Sequence, residues 1–359
     1  MAIYVDDIIY FSPSSTVEKK FESLLSTIGE VDFMGQVSHF LGIEFNWHQL
    51  SDGNVSVNLT QQSFIEIFLD TVGVFSDKQS TYTSPYQSGI SIDSIPAVSM
   101  SVSDHDALHL RYQSLVGSLN WLAHTTRPDL STVVSLLTQN QSSPSPGHLD
   151  AALYVVKYLS HKKTLGIYFS SLQQGQLETF LHFPIPSSLL PMSDANWGPQ
   201  DAGMSHTTLE LPLFASRSMS AFYVDLFGPL HWISKRQTVT AGSSAEAEIH
   251  ATSECTKFLL ELAQILDSLG LRDVFMPTTT TLLNDSKACV NWSKRTTTKG
   301  LRHIQMRENH VRENVESQFV TIAHVGGKVN LADLFKKEMK DTGHFVELRD
   351  LMMRSRLSS

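Results

Sequence analysis

Six carboxylates sit among apolar residues that make them hard to fold around unless something uses them. Asp6 and Asp7 lie in Tyr4-Val5-Asp6-Asp7, flanked by Ile3, Ile8 and Ile9. In an extended segment the two acids point to opposite faces, and an ionised carboxylate against buried β structure is costly unless a metal or a turn compensates. Two readings stay open here: a metal-binding hairpin, or a turn in which Asp merely supports the backbone. Further along, Asp194 follows the apolar run Leu189-Leu190-Pro191-Met192, and Glu248 falls in the first turns of the helical stretch SSAEAEIHATSECTKFLLEL. Asp285 ends the strand-like TTTLLN and begins a helix, and Asp333 lies in NLADLF near the start of a last helix.

Singly, each of these four has a structural account, Asp285 as an N-cap and Glu248 and Asp333 as first-turn acids favoured by the helix dipole. Together they suggest phosphodiester hydrolysis, which needs several carboxylates converging on two divalent ions about 3.5–4 Å apart, one generating hydroxide and one stabilising the leaving oxygen. Hard oxygen ligands select Mg²⁺ or Mn²⁺. A run from Ser286 to Arg312 adds Lys287, Lys294, Arg295, Lys299, Arg302, Arg307 and Arg312 against the single acid Glu308. Such a run suits a phosphate backbone or, more commonly, a solvated helix face.

The elements that must position these groups follow from the pattern. Residues 1–12 read as a hairpin, 17–28 as an amphipathic helix, and 31–45 as a Gly-punctuated stretch ending in the strand LGIEF. Helical spacing returns over 61–74, and a polar, Ser-rich segment over 76–106 reads as a linker. Helices are predicted at 107–123, 129–141 and 147–160, with HKKTLGIYF closing that half as a strand. After SSLQQGQ at 170–176, strands are expected in LHF, LLPMSDANW, FYVDLF and LHWISKRQ. A helix over 244–269, the strand TTTLLN, a helix over 302–316, the strand FVTIAHV and a helix opening at 330–339 complete the chain. The domains expected are 1–75, a linker at 76–106, helices at 107–170, an α/β unit of mixed sheet at 178–340, and a C-terminal tail at 341–359.

The 359 residues allow two domains or more, and 41% hydrophobic with 18% charged residues describes an ordinary globular protein. No run approaches a membrane span and the N-terminus lacks a secretory pattern, so the expectation is an intracellular protein of cytoplasm or nucleus with no membrane partner. Two cysteines, Cys255 and Cys289, are too few for a disulfide framework. The net charge of −9 argues against bulk electrostatic binding of nucleic acid, so any such contact rests on the local basic run.

LHWISKRQTVTAGSSAEAEIHATSE resembles the copia-type retrotransposon Pol polyprotein where its ribonuclease H domain passes from a strand into its first helix. SDANWGP is similar to that domain's opening strand, RSMSAFYVDLFG to the next two, LLNDSKACVNW to the strand carrying the third carboxylate, RHIQMRENHVREN to the following helix and NLADLFKK to the last acidic motif. Upstream, YVDDIIYFS resembles the reverse-transcriptase metal hairpin and HFLGIEF a palm segment, and the stretch from RYQSLVGSLNW to GIYF is similar to the thumb and connection. The resemblance runs from Ile3 to about Lys340.

It implies an α/β (α+β) fold, a ribonuclease H-like mixed five-stranded sheet with helices, preceded by a partial palm and thumb. It also implies that Asp194, Glu248, Asp285 and Asp333 hold two Mg²⁺ or Mn²⁺ ions for hydrolysis of RNA in RNA–DNA hybrids. Glu246 competes with Glu248 for the helix role; the order Ala-Glu-Ile-x-Ala favours Glu248. His324 is a candidate for proton transfer or product release. Asp6 and Asp7 would belong to a polymerase metal site, but Met1 lies three residues before Tyr4, so the expectation is an incomplete polymerase site, no polymerase activity and residues 1–75 less stable than the C-terminal half. Departures are the loop GPQDAGMSHTTLELPLFA and Gly242 in TVTAGSS. The competing reading is a catalytically inactive relic or a nucleic-acid-binding or interaction protein derived from the element.

Overall fold

The computed structural model describes residues 1–12, 14–74, 82–185, 187–198, 217–294 and 305–355, with the backbone alone at 305–308. Strands β1 (Ala2–Tyr4) and β2 (Asp7–Ile9) form a hairpin with Tyr4 opposite Asp7. The following helix α1 (Ser15–Ile28) buries no residue, and Glu44 is the first buried residue among those described.

Strands β3 (His39–Phe40), β4 (Ile43–Gln49) and β5 (Val55–Thr60) then build a sheet. Helix α2 (Gln62–Val72) follows, and its first turn is fixed by Glu44, whose carboxylate accepts from the Ser63 N–H at 2.7 Å and the Thr60 hydroxyl at 2.9 Å. Helices α3 (Val102–Thr125), α4 (Ser131–Thr138) and α5 (Pro146–His161) pack with α2 around Tyr112, Leu119, Leu137 and Tyr158. Strand β6 (Leu165–Ser170) pairs antiparallel with β5, and helix α6 (Gln173–Leu181) leads into the second half.

There β7 (Leu189–Asn196), β8 (Met219–Leu226) and β9 (Pro229–Arg236) form an antiparallel meander. The long helix α7 (Ser244–Ser268) and the short α8 (Arg272–Phe275) return the chain to β10 (Thr280–Asn284), which lies parallel to β7 on its other side. Helices α9 (Lys287–Ser293) and α10 (Gln305–Glu316) lead to β11 (Val320–His324), parallel to β10. The resulting order β11-β10-β7-β8-β9 is the mixed five-stranded sheet of a ribonuclease H-like α/β fold. Helix α7 covers one face through Cys255, Leu259 and Leu266 against Phe222, Val224 and Leu282.

Three stretches differ from the sequence expectation. Leu181 to Phe183 ends α6 instead of forming a strand, because Leu177 and Leu181 bury one helical face and His182 turns the chain at a φ of 62°. NLADLF forms a 3₁₀ turn over Leu331–Phe335, not an α-helix, because its polar groups are engaged elsewhere: the Leu331 N–H contacts Met192 Sδ at 3.2 Å, and the Leu334 carbonyl accepts from the Thr132 hydroxyl at 2.8 Å. The expected tail at 341–359 holds helix α11 (Thr342–Met352), capped by Asp341, and strand β12 (Met353–Ser355). Phe345, Leu348 and Met352 recur at helical spacing and are buried, and β12 pairs antiparallel with β6 to complete the first sheet in the order β12-β6-β5-β4-β3.

One core therefore runs between the halves, with Leu165 and Ile167 of the first sheet sharing it with Met192, Tyr223 and Trp232 of the second. The described part of the Ser-rich linker carries a 3₁₀ turn at Ile92–Ser94. It is pinned by Glu338, which accepts from the Ser91 hydroxyl at 2.7 Å and the Ile92 N–H at 3.2 Å. Among the described residues no helix is long and apolar enough to cross a membrane.

Candidate active site

Asp194 sits on β7, the middle strand of the second sheet, opposite Ala221 of β8 and one residue past the β10 ladder, with its side chain fully enclosed. Glu248 stands in the second turn of α7, the helix that crosses β7, and is also buried. Asp285 is the first residue past β10 and remains partly open to solvent. Three elements thus bring one carboxylate oxygen each to within 4.8 Å of one another.

The structural accounts open for these acids are filled by other residues. Ser286, not Asp285, caps α9, accepting from the Cys289 N–H at 3.3 Å. At α7, Ser243 caps the helix and Glu246 is the first-turn acid, its carboxylate accepting from the Gly242 N–H at 2.7 Å. Glu246 is therefore occupied at the helix start while Glu248 faces Asp194 and Asp285. A Cβ on Gly242 would stand 3.2 Å from that Glu246 oxygen, so the absence of a side chain there suits the cap.

Asp333 lies in the 3₁₀ turn, outside the group of three, and is linked to Asp194 and Asp285 through Lys336. The Lys336 ammonium is 2.7 Å from Asp333 Oδ1, 2.9 and 3.0 Å from the two oxygens of Asp194, and 4.0 Å from Asp285 Oδ2. Two amides set carboxylate orientation: Asn284 donates to Glu248 Oε2 at 3.1 Å and to the Ser193 hydroxyl at 3.0 Å, and Asn330 donates to the Ser193 carbonyl at 3.0 Å and Asp194 Oδ2 at 3.3 Å. His344 on α11 places Nε2 3.8 Å from Asp333 Oδ2.

Burial, with the neighbouring Asp194 and Asp285 charges adding to it, raises the Glu248 carboxyl well above its ordinary value. Asp194 is raised for the same first reason, although Lys336 opposes the shift. For Lys336, burial favours the neutral amine, but Asp194 and Asp333 outweigh it and hold the ammonium charged. Such a concentration of acids gains from a cation and loses without one. Asp194, Glu248 and Asp285 offer only hard oxygen donors on converging vectors, which fits a Mg²⁺ or Mn²⁺ ion.

Other residues singled out in the sequence lie elsewhere. His324 ends β11 opposite Asn284, with its side chain exposed and no hydrogen bond to another described residue. Asp6 and Asp7 are exposed at the tip of the N-terminal hairpin and are not part of the acidic group, the one such group among the described residues. Lys287 and Lys294 are exposed at the two ends of α9. Arg295, Lys299 and Arg302 lie outside the described residues, as does most of the loop from Gly198 to Ala215, and Arg307 belongs to α10. Arg312 is committed to Trp292, its guanidinium 4.2 Å from the ring centroid and donating to the Trp292 carbonyl at 3.2 Å.

Sequence reasoning missed Asn284, Asn330, Lys336 and His344. The first two adjoin motif residues, immediately before Asp285 and opening NLADLF. Lys336 stands three residues after Asp333, a spacing that brings side chains together on a helical turn. His344 lay in a stretch without a signal.

No family model matches the chain. It is 26% identical over 345 residues to the retrovirus-related Pol polyprotein from transposon RE1 of Arabidopsis thaliana, covering 95% of this chain and 21% of that protein. To the corresponding polyprotein from transposon TNT 1-94 of Nicotiana tabacum it is 23% identical over 340 residues, covering 94% of this chain and 23% of that protein. The secreted RxLR effector protein 161 of Plasmopara viticola is 33% identical over 147 residues, 41% of this chain and 87% of that protein. Among solved structures, LC11-RNase H1 isolated from compost is 13% identical, covering 41% of this chain and 91% of that one with a TM-score of 0.29, at which the likeness decides nothing. The chain spans about a fifth of the length of the Pol polyproteins, 21% for RE1, and matches them along nearly all of its own. With YVDDIIYFS, SDANW, AEAEIHA, LLNDS and NLADLF in order along it, the chain is similar over nearly all of its length to the copia-type retrotransposon Pol polyproteins.

Proposed function

We propose that this chain carries a ribonuclease H-type hydrolase that cleaves the RNA strand of an RNA–DNA hybrid, with Asp194, Glu248 and Asp285, joined by Asp333, holding Mg²⁺ or Mn²⁺. The observation that carries this reading is the meeting of three carboxylates from β7, α7 and the end of β10 within 4.8 Å, where no cap employs them. A divalent ion bound there would supply activated water for phosphodiester hydrolysis, and a second ion, where one binds, would stabilise the leaving oxygen.

The chain's own contribution is orientation and charge. Asn284 and Asn330 hold Glu248 and Asp194 by donating to one oxygen of each. Because both carboxyls are raised, ion binding displaces protons, and affinity increases with pH. Lys287, two residues past Asp285, and Lys294, at the far end of α9, are exposed and would meet the hybrid backbone. Asp6 and Asp7 take no part, since no further carboxylate stands with them among the described residues.

One observation favours a second reading. Lys336 already neutralises Asp194 and Asp333, as it would in a silent module that binds nucleic acid without cutting it. Cleavage of a labelled RNA–DNA hybrid in Mg²⁺ and then Mn²⁺, comparing the chain with Asp285→Asn, separates the two. Cleavage that disappears in the variant supports the hydrolase; none by either folded chain leaves the binding module.

A further inference from the structure

The backbone around Lys336 is clamped on both sides. Before it, the Asn330 side chain accepts from the Ala332 N–H at 3.1 Å and the Thr132 hydroxyl holds the Leu334 carbonyl at 2.8 Å. After it, Glu338 is tied to Ser91 and Ile92. The lysine stem, with 14% of its side chain exposed, is thus aimed at the carboxylates. Its ammonium contacts both oxygens of Asp194 and one of Asp333, stands farther from Asp285, and has no contact with Glu248. It therefore occupies the Asp194–Asp333 side of the group, away from Glu248. A Mg²⁺ ion shared by Asp194 and Asp333 would need those same oxygens at about 2.0–2.1 Å, and an ammonium beside it would be repelled.

We propose that Lys336 is a tethered cation that holds the Asp194–Asp333 position, so that the chain takes up one divalent ion on the Glu248 side where its four carboxylates alone would hold two. Uptake of a second ion then requires the lysine to leave, which makes Lys336 a positioning residue that sets ion stoichiometry. This rests on the metal reading above, and the test keeps the two apart.

The experiment is a Mn²⁺ titration of the full chain, free Mn²⁺ being read by electron paramagnetic resonance, for the wild type, Lys336→Met and Lys336→Arg. The expected result is one tightly held ion in the wild type and Lys336→Arg, and a second ion in Lys336→Met bound at least tenfold more tightly than any second ion in the wild type. Two equivalent ions in the wild type, or a Met variant whose stoichiometry and affinities stay within twofold of it, overturns the inference and leaves the metal reading standing. No Mn²⁺ uptake by any of the three overturns both. Should Lys336→Met fail to fold, the nitrogen-15 resonance of the wild-type lysine ammoniums decides: one slowly exchanging ammonium without metal, surviving one equivalent of Mg²⁺, supports the inference. Its absence, or its loss at the first equivalent, overturns it.

Discussion

The acids of the N-terminal hairpin and those of the second sheet differ in burial and in what surrounds them. Asp6 and Asp7 are neighbours in sequence, yet they stand exposed on a two-stranded hairpin with no third carboxylate beside them. Asp194, Glu248 and Asp285 are spread over 92 positions of sequence, yet the sheet and helix α7 bring them together in a largely buried setting. Sequence adjacency does not make a site. A site needs rigid elements that impose proximity and burial that makes each charge sensitive to its neighbours.

The strongest way to break this comparison is to neutralise one acid in each region. Asp194→Asn should lower hybrid cleavage by about a thousandfold, the scale of losing a metal ligand, whereas Asp6→Asn with Asp7→Asn should leave it within about twofold. Equal effects from the two, in a single-turnover assay, would dissolve the distinction. Next in size is packing: Phe345, fully buried on α11, should cost about 3–5 kcal/mol when changed to Ala. Phe11, 87% exposed, should cost less than about 0.5 kcal/mol. Urea denaturation of both variants reads the contrast.

A third test concerns a buried acid outside the site. Asp225 accepts from the Tyr223 hydroxyl at 2.6 Å and the Gly228 N–H at 3.1 Å, but burial wins and raises its carboxyl from 3.8 to about 6. The folded chain then holds this proton more tightly than the unfolded one, so its stabilising contribution is complete below the unfolded value and is lost as pH rises through the folded value. Between about pH 4 and 6 the loss amounts to about 3 kcal/mol. Asp225→Asn should flatten that part of the stability profile, and an unchanged slope would assign it to other groups. The smallest effect is local. Val5 adopts a φ of 51°, a conformation unfavourable to a β-branched residue. Val5→Gly should firm the hairpin by about 1 kcal/mol, seen as slower amide exchange at Tyr4 and Asp7, the pair that closes the turn, with no change in the midpoint of the main unfolding transition.

Periodicity revealed the long elements because their burial pattern is one-sided: α7 and α5 follow from apolar spacing, and β7 to β9 from apolar runs. It misjudged elements whose form is dictated by distant partners. NLADLF has helical spacing, but Met192 and Thr132, both far away in sequence, draw its polar groups into a tighter turn. The acids themselves were legible because an ionised residue in an apolar strand is conspicuous. Lys336 was not, since a lysine after a short apolar turn is ordinarily a surface residue, and only the folded chain shows where its ammonium goes. Likewise, Ser286 looks no better a cap than Asp285 until the helix start is seen, whereas Glu248 was already favoured over Glu246 by the order Ala-Glu-Ile-x-Ala.

The pairing of β12 with β6 has a consequence for synthesis. Residues 353–355 complete a sheet whose other strands lie between 39 and 170. During translation β6 therefore presents an unpaired edge while some 180 further residues are made. Contacts of this span are slow to close, and the nascent chain has to wait, or be chaperoned, until β12 leaves the ribosome.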